Sequence, residues 1–120
     1  VDIVEEAIED AIKNAKRNNI SNIDFHAADV GKFLKEFPNY KGNIKTIILD
    51  PPRAGIAPKT LLKVIDLEAK NIVYISCNPS TQARDTETLL QNGYVLDKLS
   101  LVDQFPHTGH IESIAKFIKA

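Results

Sequence analysis

Cysteine occurs only once in the 120 residues of the chain, and methionine does not occur at all. A single cysteine excludes an intrachain disulfide framework and any metal or iron–sulfur site built from cysteines of this chain. It also suits a reducing compartment, so we expect a cytoplasmic protein. Because methionine is missing even at position 1, we expect the chain to begin inside a longer gene product.

Long apolar runs and an excess of charge of one sign are also missing. No stretch approaches the roughly 20 apolar residues of a membrane span, and no basic-then-apolar signal opens the chain. The 15 Lys and Arg residues nearly balance the 16 Asp and Glu residues. This balance gives no global reason to suspect nucleic acid, so any RNA-binding surface must be a local patch. The composition is typical of one globular domain or a piece of one.

The apolar pattern predicts alternating helices and strands. Two β-branched runs, at 44–50 and 71–77, are apolar on successive residues, which is typical of strands buried on both faces of a parallel sheet. Helical spacing of apolar residues predicts the helices. The predicted helices cover 3–18, 57–69 and 80–93, with a helix or turn at 29–37, and the predicted strands cover 22–28, 44–50, 71–77, 94–105 and 110–120.

The helix after residue 77 and the final pair of strands have recognisable ends. Ser80 or Thr81 is expected to cap that helix, and Gly93 is expected to close it. A tight connection containing Pro106 and Gly109 is predicted to join the last two strands, which makes them an antiparallel pair.

This order of elements predicts the latter part of an open, three-layer α/β sheet with a C-terminal antiparallel hairpin. Ligands bind such sheets outside the carboxyl ends of the strands. Four polar positions follow predicted strand ends, at Asp2, Asp29, Asp50 and Cys77. Cys77 also precedes a predicted helix, whose positive end favours a thiolate.

Three strings carry a resemblance to a known family: LDPPRAG at 49–55, YISCNPSTQARD at 74–85 and DQFPHTGHIES at 103–113. In this order they resemble the S-adenosylmethionine-dependent RNA uracil-5-methyltransferases, which make 5-methyluridine in tRNA and 23S rRNA. The resemblance implies a class I, Rossmann-like methyltransferase sheet truncated at its N-terminal side. Residues 1–120 would be the C-terminal part of the catalytic domain, without the first strand and the glycine-rich cofactor loop.

The resemblance also implies the roles of two catalytic residues. Uracil C5 is a poor nucleophile, and adding a thiolate to C6 creates an enolate whose C5 can accept a methyl group. Cys77 would supply this thiolate. Glu112 would be the general base that removes the C5 proton, so that the thiolate can leave.

The remaining roles concern the cofactor, S-adenosylmethionine, and the RNA substrate. By resemblance, Asp2 would hold the cofactor ribose and Asp29 would contact the cofactor around its adenine. Asp50 would lie where cofactor and target base meet, and Arg53 would lie near the RNA or the substrate. The partner would be tRNA or 23S rRNA, and an exposed edge on the 44–50 strand would allow the truncated chain to associate with a second copy.

Alternative interpretations remain for several of these residues. A lone cysteine after an apolar run is most often structural, and Asp2 and Asp29 could simply cap helices or end strands. His107 and His110 could suggest a metal pair, but no third ligand is evident, so we predict no metal site. An amino-methyltransferase of the same fold is an alternative function. Such an enzyme also has an Asp-Pro-Pro string, but an aromatic residue follows it, whereas Arg53 follows it in this chain, which argues against this alternative. The chain could also be a folded fragment that is inactive alone.

Overall fold

The computed structural model describes residues 1–120, which form two compact units, Val1–Pro38 and Asn39–Ala120. None of the helices has the length and apolar character that crossing a membrane requires. The first unit contains helices α1 (Glu5–Arg17) and α2 (Val30–Glu36). The second contains a short 3-10 helix (Pro38–Tyr40, shared with the boundary), β1 (Thr46–Leu49), α3 (Pro58–Asp66), β2 (Asn71–Ser76), α4 (Pro79–Gln91), β3 (Tyr94–Val102) and β4 (Glu112–Lys119).

The first unit confirms the opening helix but not the strand predicted at 22–28. α1 has acidic residues in its first turn and basic residues in its last, which matches the helix dipole. The predicted strand is reduced to one parallel bridge between Asp2 and Ala27. In it the Asp2 amide donates to the His26 carbonyl at 3.1 Å, and the Ala28 amide donates to the Asp2 carbonyl at 2.9 Å. The prediction was wrong because, in the short segment before α1, Asp2 alone forms a bridge with residues 22–28.

The second unit is built on a mixed four-stranded sheet with the order β1-β2-β4-β3. β1 and β2 are parallel, and α3 connects them, while β4 is antiparallel to both β2 and β3. The α/β fold and the final antiparallel pair are therefore confirmed. The predicted tight connection is wrong, since β3 ends at Val102 and β4 begins at Glu112, and residues 103–111 form a longer segment with its own turn.

The core of the second unit lies on one face of the sheet, under α3 and α4. Alternate residues of β2 and β4 point to this face, where they pack with Leu61 of α3 and Leu89 of α4. Burial of β1 on both faces, as predicted, is wrong because Ile48 is 68% exposed. β1 is an edge strand with β2 as its neighbour, and the face that carries Ile48 is open to solvent in this unit.

α4 begins earlier than predicted. Its N-cap is Asn78, whose side-chain oxygen accepts from the Ser80 amide, and Pro79 is the first helical residue. Ser80 and Thr81 are therefore inside the helix rather than capping it. Asn is a favoured N-cap and Pro is favoured at the first helical position, so the local sequence explains the shift. Gly93 follows the end of α4 with φ of 89°, as expected for the residue that closes a helix.

Candidate active site

Cys77 and Glu112 lie at the same end of two neighbouring strands. The last paired residues of β2 and β4 are Ser76 and Ser113. One step further in this antiparallel register, Cys77 stands opposite Glu112, the first residue of β4. Residues directly opposite in such a pair have Cβ atoms about 4.5–5.5 Å apart. The strand pairing therefore brings the thiol and the carboxylate into one neighbourhood, although 35 positions separate them in the chain.

A cavity of about 340 Å³ opens at this end of the sheet. The Cys77 side chain is partly exposed there, so the thiol is not sealed in the core. Phe105 is 54% exposed and gives the cavity an apolar, aromatic wall. The residues that line the cavity are Arg53, Cys77, Phe105, Thr108, His110, Ile111 and Glu112.

Arg53 reaches the cavity from the segment after β1 and contacts His110 across it. The distance between Arg53 Nη2 and His110 Nδ1 is 2.8 Å. A guanidinium can only donate, so Nδ1 accepts and the ring proton lies on Nε2. This contact links the 51–57 segment to the 103–111 segment.

The backbone of Arg53 is held by the first turn of α4. Its carbonyl accepts from Asn78 Nδ2 at 3.0 Å and from Thr81 Oγ1 at 2.9 Å. Asn78 immediately follows Cys77 in the chain. The segment that presents Arg53 is thus attached to the residues directly beside the thiol.

An ion pair between a buried carboxylate and a half-exposed guanidinium holds the rest of the 51–57 segment. Arg84 Nη2 donates to the carbonyls of Ala54 and Ile56, and the Arg84 guanidinium pairs with Asp85 at 2.8 Å. Asp85 also accepts from the Ile56 amide at 2.9 Å. Gly55 packs so closely here, with φ of 75°, that a Cβ would lie 2.6 Å from Arg84 Nη2 and 2.8 Å from Asp85 Oδ2.

Tyr74 of β2 completes the contacts of Asp85. Its hydroxyl donates to Asp85 Oδ2 at 2.7 Å, and both side chains are buried. Burial first, and then the hydrogen bond to Asp85, raise the pKa of Tyr74 far above its ordinary value. The hydroxyl therefore keeps its proton and remains a donor.

Gln82 connects the strands that carry the thiol and the carboxylate. Its side-chain amide donates to the Tyr74 carbonyl on β2 at 3.0 Å and to the Ser113 carbonyl on β4 at 3.3 Å. Gln82 is 4% exposed. The string YISCNPSTQARD thus contains Cys77 itself and the side chains of the α4 region that form hydrogen bonds with the backbone around the cavity.

Comparison with known proteins identifies the family. A family model described as tRNA (uracil-5-)-methyltransferase matches residues 1–119. The chain belongs to this family. The family resemblance that the three sequence strings indicated is therefore confirmed.

Curated relatives and a solved structure agree with the family model. The chain is 45% identical over 112 residues to a 23S rRNA (uracil(1939)-C(5))-methyltransferase of Haemophilus influenzae, covering 93% of this chain and 25% of that protein. It is 45% identical to an uncharacterized RNA methyltransferase of Clostridium tetani, covering 95% of this chain and 24% of that protein.

The crystal structure of Pyrococcus abyssi tRNA (uracil-54, C5)-methyltransferase with S-adenosyl-L-homocysteine superposes with a TM-score of 0.84 at 38% identity, covering 98% of this chain and 27% of that one. The chain therefore has a methyltransferase fold. It spans about a quarter of the length of these relatives.

Asp50 is placed apart from the cavity. It follows the end of β1, is exposed and does not line the cavity that Cys77 and Glu112 share. β2 lies between β1 and β4 in the sheet, so Asp50 and Glu112 stand on opposite sides of the strand that ends beside Cys77.

Asp2 and Asp29 belong to the first unit, and each has a local structural contact. Asp2 Oδ1 accepts from the Val4 amide at 2.8 Å. Asp29 is the N-cap of α2, where its Oδ1 accepts from the Lys32 amide at 3.0 Å. The bridge between Asp2 and Ala27 sets the backbone of Asp2 beside a residue that lies two positions before Asp29. Each keeps a second oxygen that can accept a hydrogen bond.

His107 and His110 do not belong to a metal cluster. No group of three or more His, Cys, Asp or Glu side chains among residues 1–120 could hold a metal ion. His107 has φ of 67°, a turn conformation, and His110 contacts Arg53.

Sequence reasoning missed the side chains that support this site. Gln82 and Asp85 are polar, yet they occupy positions of α4 that face the sheet. Polar residues at inward positions of a helix indicate a buried hydrogen-bond network, and that signal could have found them. An apolar residue in a turn-forming stretch, such as Phe105, is a signal for a binding role. The sequence could not place Phe105 in the cavity, because that depends on the path of residues 103–111.

Proposed function

We propose that the protein carrying this chain is an S-adenosylmethionine-dependent RNA uracil-5-methyltransferase that modifies a uridine of tRNA or 23S rRNA. Family membership supports the reaction class. The relative from Haemophilus influenzae is named for a uracil of 23S rRNA, and the one from Pyrococcus abyssi for a uracil of tRNA. The observation that carries the proposal is the partly exposed Cys77 opposite Glu112 at a cavity.

Cys77 is proposed to begin the reaction as a nucleophile. Its thiolate forms a bond to C6 of the uracil, and the electrons of the C5–C6 double bond move towards the C4 carbonyl oxygen, giving an enolate. C5 then becomes nucleophilic and would bond to the methyl carbon that S-adenosylmethionine supplies, while the S–CH3 bond of the sulfonium breaks and the neutral thioether, S-adenosylhomocysteine, leaves. The cavity, which Phe105 lines on one side, has an aromatic surface for a planar base.

Glu112 is proposed to complete the reaction as a general base. Its carboxylate takes the proton from C5, the electron pair of that C–H bond re-forms the C5–C6 double bond, and the C6–sulfur bond breaks. The thiolate of Cys77 is regenerated, and Glu112 returns its proton to solvent. The register of β2 and β4 supports this division of roles, because it sets the backbone of Glu112 opposite that of Cys77 and neither residue is buried in the core.

Three carboxylates are proposed to hold the cofactor. Asp2 would accept from ribose hydroxyls, Asp29 from donors around the adenine, and Asp50 from the part of the cofactor nearest the base. The chemistry fits, because carboxylate oxygens accept from hydroxyl and amino groups. The guanidinium of Arg53 would contact the uridine or the adjacent RNA. No metal ion is part of this proposal.

The isolated chain is proposed to be inactive and able to associate with a second copy. The relatives are about four times as long, so residues outside this chain would supply further cofactor and RNA contacts. The exposed edge of β1, with Ile48 on its open face, supports association. Weak binding of S-adenosylhomocysteine by the isolated chain is expected, and tight binding would contradict its proposed inactivity. We propose a cytoplasmic location for the full-length protein.

The test of the mechanism compares three forms of the full-length protein on unmodified tRNA and 23S rRNA. We expect Cys77→Ala to form no 5-methyluridine, because no other thiol of this chain can attack C6. Glu112→Gln should accumulate a denaturation-resistant protein–RNA adduct, because the C5 proton stays in place. RNA that contains 5-fluorouridine should trap the same adduct with the wild type.

The matched control for the carboxylate is Glu87→Gln on the exposed side of α4, which should behave as wild type. Methylation by Cys77→Ala at the wild-type level would refute the covalent mechanism. Normal turnover by Glu112→Gln would remove Glu112 from it.

A further inference from the structure

We propose that Asn78, Thr81 and His110 are positioning residues that hold Arg53 in a preset orientation at the cavity. Each acts through Arg53, two of them on its backbone and one on its guanidinium. The inference rests on the proposed function, since it takes Arg53 as a group that contacts the uridine or the adjacent RNA.

The backbone of Arg53 is fixed to the start of α4. Its carbonyl accepts two hydrogen bonds, from Asn78 Nδ2 at 3.0 Å and from Thr81 Oγ1 at 2.9 Å. The other side-chain atom of Asn78, Oδ1, accepts from the Ser80 amide and caps the helix. One amide therefore orders both the helix start beside Cys77 and the backbone of Arg53. The position of Arg53 is tied to the segment that carries the thiol.

The side chain of Arg53 is fixed at its other end by His110. The 2.8 Å contact between Nη2 and Nδ1 joins residues that are 57 positions apart in the chain. An unrestrained arginine loses much rotamer freedom when it binds a ligand. A guanidinium that is already oriented loses less, and this preorganisation favours binding in the productive geometry.

A purely structural role for these contacts is the alternative, and the other contacts of the segment argue against it. Arg84 binds the carbonyls of Ala54 and Ile56, and Asp85 binds the Ile56 amide. These bonds remain when the hydroxyl of Thr81 is removed. The single proton of that hydroxyl is within reach of the Arg53 carbonyl at 2.9 Å and of the Asn78 carbonyl at 3.2 Å, and the Arg53 carbonyl is the nearer acceptor. Loss of that hydroxyl should therefore leave the segment folded and change chiefly the orientation of Arg53.

The test is a double-mutant cycle between Thr81→Val and Arg53→Ala, measured as kcat/KM for RNA methylation by the full-length protein. With Arg53 present, Thr81→Val should lower kcat/KM about tenfold, the size of one hydrogen bond. With Arg53 already replaced by Ala, it should lower kcat/KM less than about twofold, because residues that act through each other are not additive. Thr88→Val, in the same helix, is the matched control and should have no effect.

The outcomes separate a positioning role from a structural one. Equal losses in both backgrounds would overturn the inference, as would wild-type kcat/KM in Thr81→Val. Thermal unfolding of each variant shows whether it is folded. If Thr81→Val is not folded, Asn78→Asp replaces it in the cycle, because the Asp keeps the cap of α4 and lacks the donor to the Arg53 carbonyl.

His110 provides a second and independent comparison. His110→Leu removes the acceptor for Arg53 and should lower kcat/KM about as much as Thr81→Val. His110→Asn puts a carbonyl oxygen close to the position of Nδ1 and should retain most of the activity. Equal losses in the two variants would contradict a role for His110 in orienting Arg53.

The inference can fail separately from the proposed function. Loss of methylation in Cys77→Ala together with unchanged kcat/KM in Arg53→Ala would leave the covalent mechanism standing and overturn the positioning of Arg53. Retained methylation in Cys77→Ala would instead refute the mechanism itself.

Discussion

Residues 51–57 and residues 103–111 are the two irregular segments beside the cavity, and they differ in what holds them. In the first segment, the carbonyls of Arg53, Ala54 and Ile56 all accept from side chains of the α4 region. In the second, Thr108 Oγ1 donates to the Phe105 carbonyl at 2.7 Å and accepts from the His110 amide at 3.3 Å. The Arg53–His110 contact joins the two segments.

The two segments that border the cavity are stabilised in different ways. The 51–57 segment forms its hydrogen bonds with side chains of a helix that packs in the core, so its order depends on the stability of the whole unit. The 103–111 segment forms hydrogen bonds within itself, around Thr108, and exposes apolar side chains such as Phe105 and Ile111. Regions with few buried contacts open with less free energy than core elements. We therefore expect residues 51–57 to be rigid and residues 103–111 to adapt to a ligand.

The largest effect on the difference between the two segments is expected from removing the Asp85 carboxylate, which holds residues 51–57. Asp85→Ala takes away the acceptor for the Tyr74 hydroxyl, the Ile56 amide and the Arg84 guanidinium. Breaking a buried charge pair by removing one partner costs about 3–5 kcal/mol of unfolding free energy. Because the Arg84 side chain is 52% exposed and can turn to water, we expect the lower part of that range.

Urea unfolding with an unchanged m-value would measure this loss. Glu87→Ala, which removes an exposed carboxylate from the same helix, is the control and should stay within about 0.5 kcal/mol of wild type. Tyr74→Phe removes one of the donors and should fall between the two. A loss below about 1 kcal/mol in Asp85→Ala would mean that the 51–57 segment does not depend on this carboxylate.

The Asp85 network also shows how far sequence reasoning could go. The apolar pattern is a local signal, and it predicted the helices and the parallel-sheet strands β1 and β2, while turn-forming residues predicted the final antiparallel pair. The roles that the resemblance implied for Cys77 and Glu112 require the two residues to lie close together, and the β2–β4 register agrees with that requirement. The inward-facing polar residues of α4 interrupt the apolar pattern, so the pattern could not indicate what they bind.

Three of the wrong predictions made from the sequence have a common physical cause. The strand at 22–28, the two-sided burial of β1 and the tight connection before β4 all depend on which segments lie alongside. An apolar run can pair or be covered only if another segment of the folded unit is present beside it, and β-structure depends on that context. Ile48 illustrates the point, because a β-branched residue in a strand is here 68% exposed.

A smaller effect is expected from adding a methyl group to each segment in turn. Gly55→Ala should lower the unfolding free energy by about 2 kcal/mol, from a strained left-handed backbone and overpacking against Arg84 and Asp85. Gly109→Ala meets no atom within 4 Å and should stay within about 0.5 kcal/mol of wild type. The two variants carry the same chemical change, and the midpoint of urea unfolding compares them directly. Similar midpoints for both would contradict the contrast between the segments.

The smallest effect is expected from the hydroxyl that orders the second segment. Thr108→Ala removes the donor to the Phe105 carbonyl and the acceptor for the His110 amide. Both bonds are exposed to solvent, where water can replace them, so the unfolding free energy should change by less than about 0.5 kcal/mol. Local opening should become more frequent, because these bonds are the internal contacts of the segment.

Hydrogen exchange of the His110 and Thr108 amides measures that opening. In Thr108→Ala we expect these amides to exchange about five- to tenfold faster than in wild type, the effect of losing roughly one exposed hydrogen bond. The Ile56 amide, bound to buried Asp85, should keep its wild-type rate. If Ile56 exchanged faster as well, the two segments would open together through the Arg53–His110 contact. Residues 103–111 would then be as firmly attached to the core as residues 51–57. That result would contradict the expectation that residues 103–111 adapt to a ligand.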